Sequence, residues 1–436
     1  MAVTWDRIRT SFWFVPGAMA LLAMALAWVA HKGDLWIALL ERDELPPVIY
    51  VSDGANARDV ASTLLGSMMT MTSLVFSITM VVLTLAASQF GPRLIRNFMA
   101  SPHTQVVLGT FVMTTIYCLL TLGTIGSRAA NQQQAYLSVS LSIGLVLLSV
   151  GLLVFFLHFL ARSIVSESVI ERVGKEIGSL WDELDPVPHE QGQNWEAPVP
   201  DDYRTGAALF GPSRDGYVAT IDFSHLVDLA ERHDVLISIG FGPGEYVVEG
   251  GVGLGVYPAS RCTDRTREQV QKAITVASQR TPAQDPEYSI RHLVEIGVRA
   301  LSPGVSDPYT AVAVINQLSA SLCRLMARAL PSGQLHDQRG HLRVICQRPT
   351  YGTLVSAAYN QLRQNAGGAA LVYIHLVEAL HRIAEFSTLE AQREALRHQL
   401  GMVCAAAARN LPEAYDRQAV ESRAQLALSK LNAISD

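Results

Sequence analysis

The sequence predicts an α-helical membrane domain of four spans, followed by a cytoplasmic α+β region with a small β-sandwich-like module and a helical domain. Two observations lead to this fold class. Four long apolar runs all lie before Arg162, and the rest of the 436 residues has an ordinary mixture of charged and apolar residues. The net charge of -5, without dense Lys/Arg runs, argues against a nucleic-acid partner.

Each apolar run is long enough to cross a hydrocarbon core about 30 Å thick. The first run leads into His31 and Lys32 without a small-residue cleavage pattern, so we interpret it as a retained span and not as a signal peptide. Residues 1–162 therefore form the membrane domain, with predicted spans at 12–30, 64–90, 106–125 and 136–160.

The basic residues close to the spans predict the orientation. In a four-span topology the segments before span one, after span two and after span four share one side, and that side carries most of the nearby positive charge. Both termini are therefore expected in the cytoplasm. The residues concerned are Arg7, Arg9, Arg93, Arg96, Arg162, Arg172 and Lys175.

The second span carries hydroxyl side chains at steps of three, four and seven, which place them within an arc of about 100° on one helix face. One interpretation is a hydroxyl-lined face bordering a water-filled path at the centre of an oligomer. The other is close helix packing, for which membrane helices use small residues. The candidate pore-lining residues are Ser67, Thr70, Ser77, Thr84 and Ser88.

The segment after this span predicts an elbow at the membrane surface. Gly91 and Pro92 interrupt the helix, and an amphipathic stretch with Arg93 and Arg96 follows. Together with Gln89, these residues are candidates for a gate and a basic mouth. The alternative is an interfacial elbow whose arginines meet lipid phosphates.

The cytoplasmic part divides by composition into a helical extension (163–184), a Pro-rich linker (185–202), a small β-rich module (203–262) and a helical domain (263–436). Strands are expected at 216–222 and 235–239, with a short helix at 224–232 between them. In the helical domain the apolar spacing predicts helices that include 265–278, 288–301, 308–330 and 351–365.

One turn in the helical domain has clear capping chemistry, because Asp307 is suited to be an N-cap and Pro308 to occupy the first helical position. Its free amides and the nearby arginines also suggest a cytoplasmic ligand site for an anion. Capping alone is the competing explanation. The ligand candidates are Arg291, Arg299, Ser302, Ser306 and Asp307.

Conventional catalytic signatures are missing from the sequence. There is no GxSxG, Walker A or HExxH motif, and the five cysteines are scattered without a CxxC pair. His292 with Glu295 and His375 with Glu378 have helical i,i+3 spacing, but no further residues complete a metal site. We therefore assign no catalytic residue, metal or cofactor, and we do not expect an enzyme.

Several segments together resemble a known bacterial family, the predicted membrane proteins of domain of unknown function 2254. They are Ser88-Gln-Phe-Gly-Pro-Arg-Leu94, Gln105-Val-Val-Leu-Gly-Thr-Phe111, Gly216-Tyr-Val, and Arg299-Ala-Leu-Ser-Pro-Gly with Asp307-Pro. The resemblance covers nearly the whole chain and implies a multi-pass protein of the inner membrane with a cytosolic C-terminal portion. It supplies no catalytic or binding residue.

The leading hypothesis is a homo-oligomeric inner-membrane protein that forms a passive ion channel along span two, assembled or gated by the cytoplasmic domain. Its expected partners are the lipid bilayer, further copies of the chain and inorganic ions. The alternative is a membrane-anchored binding or scaffolding protein whose cytoplasmic domain recognises a cytosolic ligand or protein.

Overall fold

The structure is a computed structural model that describes residues 14–37, 54–90, 101–128, 136–163, 166–187, 198–200 and 202–433. The chain divides into two units, Met1–Ser168 and Val169–Asp436. The fold class expected from the sequence is confirmed: four apolar helices come first, and a mixed region of helices and two small sheets follows.

Within the described part of the first unit, four helices each contain a segment long and apolar enough to cross a membrane. The predicted spans are confirmed, but the first helix continues past Ala30 through Asp34, and the second begins earlier than expected. The helices are α1 (Phe14–Ile37), α2 (Gly54–Phe90), α3 (Pro102–Arg128) and α4 (Tyr136–Ser163).

The third helix lies at the centre of this bundle and packs against each of the other three. Its Phe111 is fully buried in a cluster with Met68 of α2 and Phe156 of α4. A methyl group added at Gly109 would lie 2.5 Å from Met19 Sδ, so glycine allows α1 to approach α3 closely here.

Hydroxyl groups join the spans across the interior of the bundle. Thr72 Oγ1 lies 3.0 Å from Thr115 Oγ1, which links α2 to α3. Thr114 Oγ1 lies 3.1 Å from Ser149 Oγ, which links α3 to α4. Such interhelical hydrogen bonds satisfy polar groups that hydrocarbon cannot solvate.

The second unit begins with helix α5 (Ser166–Asp182), whose apolar face is part of the unit's core. Trp181 is 1% exposed, and its Nε1–H donates to Ser321 Oγ at 2.8 Å. The first residues of the predicted linker also pair with the unit, because the Val187 amide donates to the Ala327 carbonyl at 3.0 Å. Residues 188–197 and 201 lie outside the described part of the chain.

Two sheets follow. The five-stranded sheet has the order β1-β5-β3-β8-β7, in which β3 and β8 are parallel and the other neighbours antiparallel. The antiparallel three-stranded sheet has the order β4-β2-β6. The strands are β1 (Ala208–Phe210), β2 (Gly216–Ile221), β3 (Leu236–Ile239), β4 (Tyr246–Val247), β5 (Leu254–Tyr257), β6 (Ile274–Ala277), β7 (Gln334–His336) and β8 (Leu342–Cys346).

Both sheets take strands from beyond residue 262, where the sequence suggested a purely helical region. The prediction of one helix over 265–278 is wrong at its end, because α8 ends at Lys272 and the strand β6 follows. Ile274 and Val276 are buried while Thr275 between them is exposed, and this alternation fits pairing with β2.

Helices form most of the rest of the described part of the unit, and the helices expected near 224–232, 288–301, 308–330 and 351–365 are confirmed within a few residues at most ends. Among them, α9 packs against α10 and α11, and α12 packs against α10 and α14. They are α6 (Tyr203–Gly206), α7 (Phe223–His233), α8 (Asp264–Lys272), α9 (Pro286–Ala300), α10 (Pro308–Met326), α11 (Tyr351–Asn365), α12 (Ala370–Ala384), α13 (Glu390–Asn410) and α14 (Ala414–Ala433).

Candidate functional site

The hydroxyl face of α2 points away from the other described helices of the bundle. Leu74 and Val81, which share this face, are 51% and 57% exposed. The side chain of Ser88 lies outside the described residues. The exposed hydroxyl residues of the face are Thr63, Ser67, Thr70, Ser77 and Thr84.

The opposite face of α2 makes the contacts with the bundle. Ala61, Met68, Val75 and Val82 are buried there against α3, α4 and neighbouring residues of α2. Packing among the described residues of the bundle therefore does not explain the hydroxyl stripe.

The other three spans differ from α2 in where their hydroxyl side chains lie. Thr114 of α3 and Ser142 and Ser149 of α4 are fully buried, while Leu147 and Val154 on the outer face of α4 are 67% and 66% exposed. Helix α1 contains no serine or threonine. Within the described spans, α2 is thus the helix that places a row of hydroxyl side chains on the outside.

The threonines of this face are satisfied as donors by their own helix. Thr63 Oγ1 donates to the Asp59 carbonyl at 2.8 Å, Thr70 Oγ1 to Gly66 at 3.0 Å and Thr84 Oγ1 to Met80 at 2.9 Å. Each hydroxyl oxygen keeps its capacity as an acceptor. The face therefore offers acceptor oxygens without fixed charge.

The predicted gate and mouth cannot be placed in the same way. Gly91, Pro92, Arg93 and Arg96 lie outside the described residues, as does the side chain of Gln89. Their assignment as a gate or an interfacial elbow stays a prediction.

The capping turn of the second unit is formed as the sequence predicts. The Asp307 carboxylate accepts from the amides of Tyr309 and Thr310, both at 3.1 Å, and Pro308 begins α10. The Thr310 hydroxyl also donates to Asp307 at 2.6 Å. The pKa of Asp307 is held below its usual value mainly by the hydrogen bond from the Thr310 side chain, and further by those from the two amides.

The arginines expected beside this turn are engaged elsewhere. Arg291 pairs with Glu287 at 2.7 Å, and Arg299 pairs with Glu295 at 3.2 Å, each along one helix. Ser302 Oγ donates to the Arg299 carbonyl at 2.7 Å. Ser306 adopts a left-handed φ of 49° that reverses the chain before Asp307. The geometry is that of a helix cap, and an anion ligand here stays a prediction.

The second spaced His/Glu pair belongs to a salt-bridge network. His375 Nδ1 lies 3.3 Å from Glu378, whose carboxylate also pairs with Arg423 at 3.0 Å. Among the described residues, no group of three or more His, Cys, Asp or Glu side chains is arranged to hold a metal ion.

Sequence reasoning missed Asp34, a carboxylate buried in the bundle with 1% exposure. The amides of Leu137 and Ser138, at the start of α4, donate to Asp34 Oδ1 at 2.7 and 3.3 Å. The Ser138 hydroxyl donates to Oδ2 at 2.5 Å, and the Tyr117 hydroxyl donates to the Ser138 carbonyl at 3.2 Å. Asp34 thus caps α4 from α1. The available signal was an acidic residue four positions after the end of an apolar run.

A second buried carboxylate organises the edge of the five-stranded sheet. Burial opposes ionisation of Asp337, but Arg343 Nε donates to it at 2.8 Å and the amides of His341 and Arg339 donate at 2.9 Å. These bonds outweigh burial and hold the pKa of Asp337 well below its usual range. Arg343 also pairs with Asp234 at 2.9 Å.

Comparison with known proteins gives relatives but no activity. Residues 9–382 match the sequence model of a family described as "Predicted membrane protein (DUF2254)". The chain is 30% identical over 379 residues to an uncharacterized protein of Mycobacterium bovis and, equally, to uncharacterized proteins of two strains of Mycobacterium tuberculosis. Each alignment covers 86% of this chain and 72% of the relative. No solved structure matches the chain.

Proposed function

Because the chain belongs to the DUF2254 family of predicted membrane proteins, we propose from the geometry of its four spans that it acts in the membrane as a homo-oligomer. Copies of α2 meet through the hydroxyl face and border a passive ion pathway. The observation that carries this proposal is the outward hydroxyl row of α2, set against the inward hydroxyls of α3 and α4.

The spacing of the face supports contact between copies of α2. Its positions follow strict steps of four and three, the repeat with which two helices pack at a shallow left-handed crossing. They are residues 63, 67, 70, 74, 77, 81 and 84, all exposed within one chain. Small side chains at such positions let backbones approach closely in a membrane.

The chemistry of the face supports an ion pathway. Since the threonine protons are held by the helix, the hydroxyl oxygens face outward as acceptors and can replace part of a cation's hydration shell. In this arrangement both termini lie in the cytoplasm, and the second unit assembles or gates the pathway. The membrane concerned is the bacterial inner membrane.

Flux through proteoliposomes tests the pathway, with cations and anions measured separately. Ser77→Leu places a large apolar side chain in the middle of the hydroxyl face, and we expect it to reduce flux at least about tenfold, the factor that 1.4 kcal/mol of added barrier produces. Gly151→Leu is the matched control, because Gly151 is exposed on α4 and an added Cβ meets nothing within 4 Å.

Cross-linking tests the oligomer separately. A cysteine at Thr70 should link copies of the chain, whereas a cysteine at Val154 on the outer face of α4 should not. Cross-links at Thr70 with no flux in any variant would retain the oligomer and reject the pathway. Equal cross-linking at both positions would reject α2 as the interface.

The alternative function is that of a membrane-anchored binding protein. The size of the second unit, Val169–Asp436, favours this alternative. That unit has its own core, in which residues of both sheets and of α7 and α8 pack together. Tyr309, next to the capping turn, is 75% exposed and is available for a contact. If no variant supports flux, pull-down with the full chain and with Tyr309→Ala is the next experiment.

A further inference from the structure

The end of the bundle at which α3 begins combines first-turn amides, for which the helix itself supplies no acceptor, with a buried hydroxyl that has no hydrogen-bond partner in the described part of the chain. We propose that this end binds the phosphate of a phospholipid headgroup. The proposal concerns the end of the bundle within a single chain, so it does not depend on an ion pathway.

The first turn of α3 provides backbone donors. The Gln105 amide makes an early hydrogen bond of the helix, to the Ser101 carbonyl at 3.2 Å. Pro102 has no N–H, and the N–H groups of His103 and Thr104 belong to the first turn, where the helix itself supplies no acceptor. Such groups and the helix dipole favour an anion.

The hydroxyl of Thr104 is the second and independent observation. Thr104 is 0% exposed, and its Oγ1 has no hydrogen-bond partner within the described part of the chain. By contrast, Thr110 and Thr115 of the same helix donate to carbonyls one turn earlier. A helical Cα–Cβ bond tilts toward the N-terminus, so the Thr104 side chain starts out toward the first-turn amides. A buried hydroxyl is normally paired, and a phosphate oxygen would pair it.

The surroundings favour a lipid over a free anion. The exposed His103 imidazole packs against Phe159 and Phe155 of α4, with ring centroids 5.5 and 6.4 Å apart. Phe155 and Val106 are 48% and 46% exposed and extend this apolar surface along the bundle, where acyl chains fit. The apolar segment from Pro102 to Ile125 is about 36 Å long against a hydrocarbon core of about 30 Å, which places the turn at headgroup level.

Lipid titration of the purified full chain in detergent tests the site, with the thermal unfolding midpoint as the readout. The probes are phosphatidylglycerol, a digalactosyl diacylglycerol that has acyl chains but no phosphate, and inorganic phosphate. We expect phosphatidylglycerol to raise the midpoint and the other two to leave it unchanged.

Thr104→Val keeps the shape of the side chain and removes the hydroxyl. We expect it to weaken phosphatidylglycerol binding about tenfold, as loss of a hydrogen bond to a charged group does. Without lipid the variant should unfold at or above the parent's midpoint, because a buried unpaired hydroxyl has been removed. A lower lipid-free midpoint would show that the hydroxyl is already satisfied, which contradicts the proposal.

His103→Ala should also weaken binding, and since His103 is exposed the variant should fold normally. His158→Ala is the matched control, an exposed histidine on α4 one residue from Phe159, and it should bind like the parent. Equal affinity in the parent and in Thr104→Val would overturn the site. If the galactolipid stabilises the chain as much as phosphatidylglycerol does, the acyl chains and not the phosphate are recognised, which contradicts the proposal. If only inorganic phosphate stabilises it, the ligand is a soluble anion and not a lipid.

Discussion

Removal of the Asp34 carboxylate should separate the end of α1 from the start of α4. The carboxylate is 1% exposed and accepts hydrogen bonds from two α4 amides and from the Ser138 hydroxyl, at 2.5 to 3.3 Å. Asp34→Ala leaves these donors buried without an acceptor. Each donor left without an acceptor costs about 1 to 3 kcal/mol, and the three donors together cost about 3 to 5 kcal/mol after partial relaxation of the site.

We therefore expect Asp34→Ala to lower the free energy of unfolding by about 3 to 5 kcal/mol. Asp34→Asn keeps one acceptor oxygen, and it should lose about 1 to 2 kcal/mol, the scale of an N-cap substitution. The assay is equilibrium unfolding of the full chain in mixed detergent micelles. The fluorescence of Trp28 and Trp36, on the same helix as Asp34, reports the change.

Asp59→Ala is the control, because Asp59 is an exposed carboxylate on α2. Its free energy of unfolding should stay within about 0.5 kcal/mol of the parent's, as for an ordinary surface substitution. If Asp34→Ala is no less stable than Asp59→Ala, the cap on α4 contributes nothing and the reasoning from buried hydrogen bonds fails.

Two further perturbations act on the second unit. The depressed pKa of Asp337 means that its stabilising bonds, including that from Arg343, are fully present above the unfolded-state pKa of about 3.9 and are lost as the pH falls toward the lower folded-state pKa. Acid unfolding followed by circular dichroism should thus show a weaker pH dependence below about pH 4 in Asp337→Asn than in the parent, and parallel curves would refute this. Gly244→Ala combines strain at a φ of +86° with a clash against the Asp285 carboxylate, whereas Gly250→Ala has a φ of +70° with nothing within 4 Å. We expect a loss of about 1 kcal/mol at Gly250 and clearly more at Gly244, measured by thermal unfolding, and equal losses would show that the clash is relieved without cost.

The sequence by itself determined the membrane part and the cap at the start of α10. Long uninterrupted apolar runs can be stable only where hydrocarbon replaces water, so the four spans follow from composition and length. The cap at Asp307 and Pro308 is equally local, because an N-cap bonds amides only two or three residues away. Such features depend on neighbours along the chain, which the sequence displays directly.

The tertiary structure decided what depends on distant residues. The hydroxyl periodicity of α2 was visible, but a repeat does not tell which face meets the bundle, and the structure places the apolar face inside and the hydroxyls outside. β8 could not be found from its own five residues. It lies between β3 and β7, and its partner β3 is about 100 residues away in the sequence. The role of Asp34 could not be predicted either, because the amides that it caps belong to α4, about 100 residues further along the chain. In each case the energy comes from a contact between segments far apart in sequence, and only the folded chain specifies that contact.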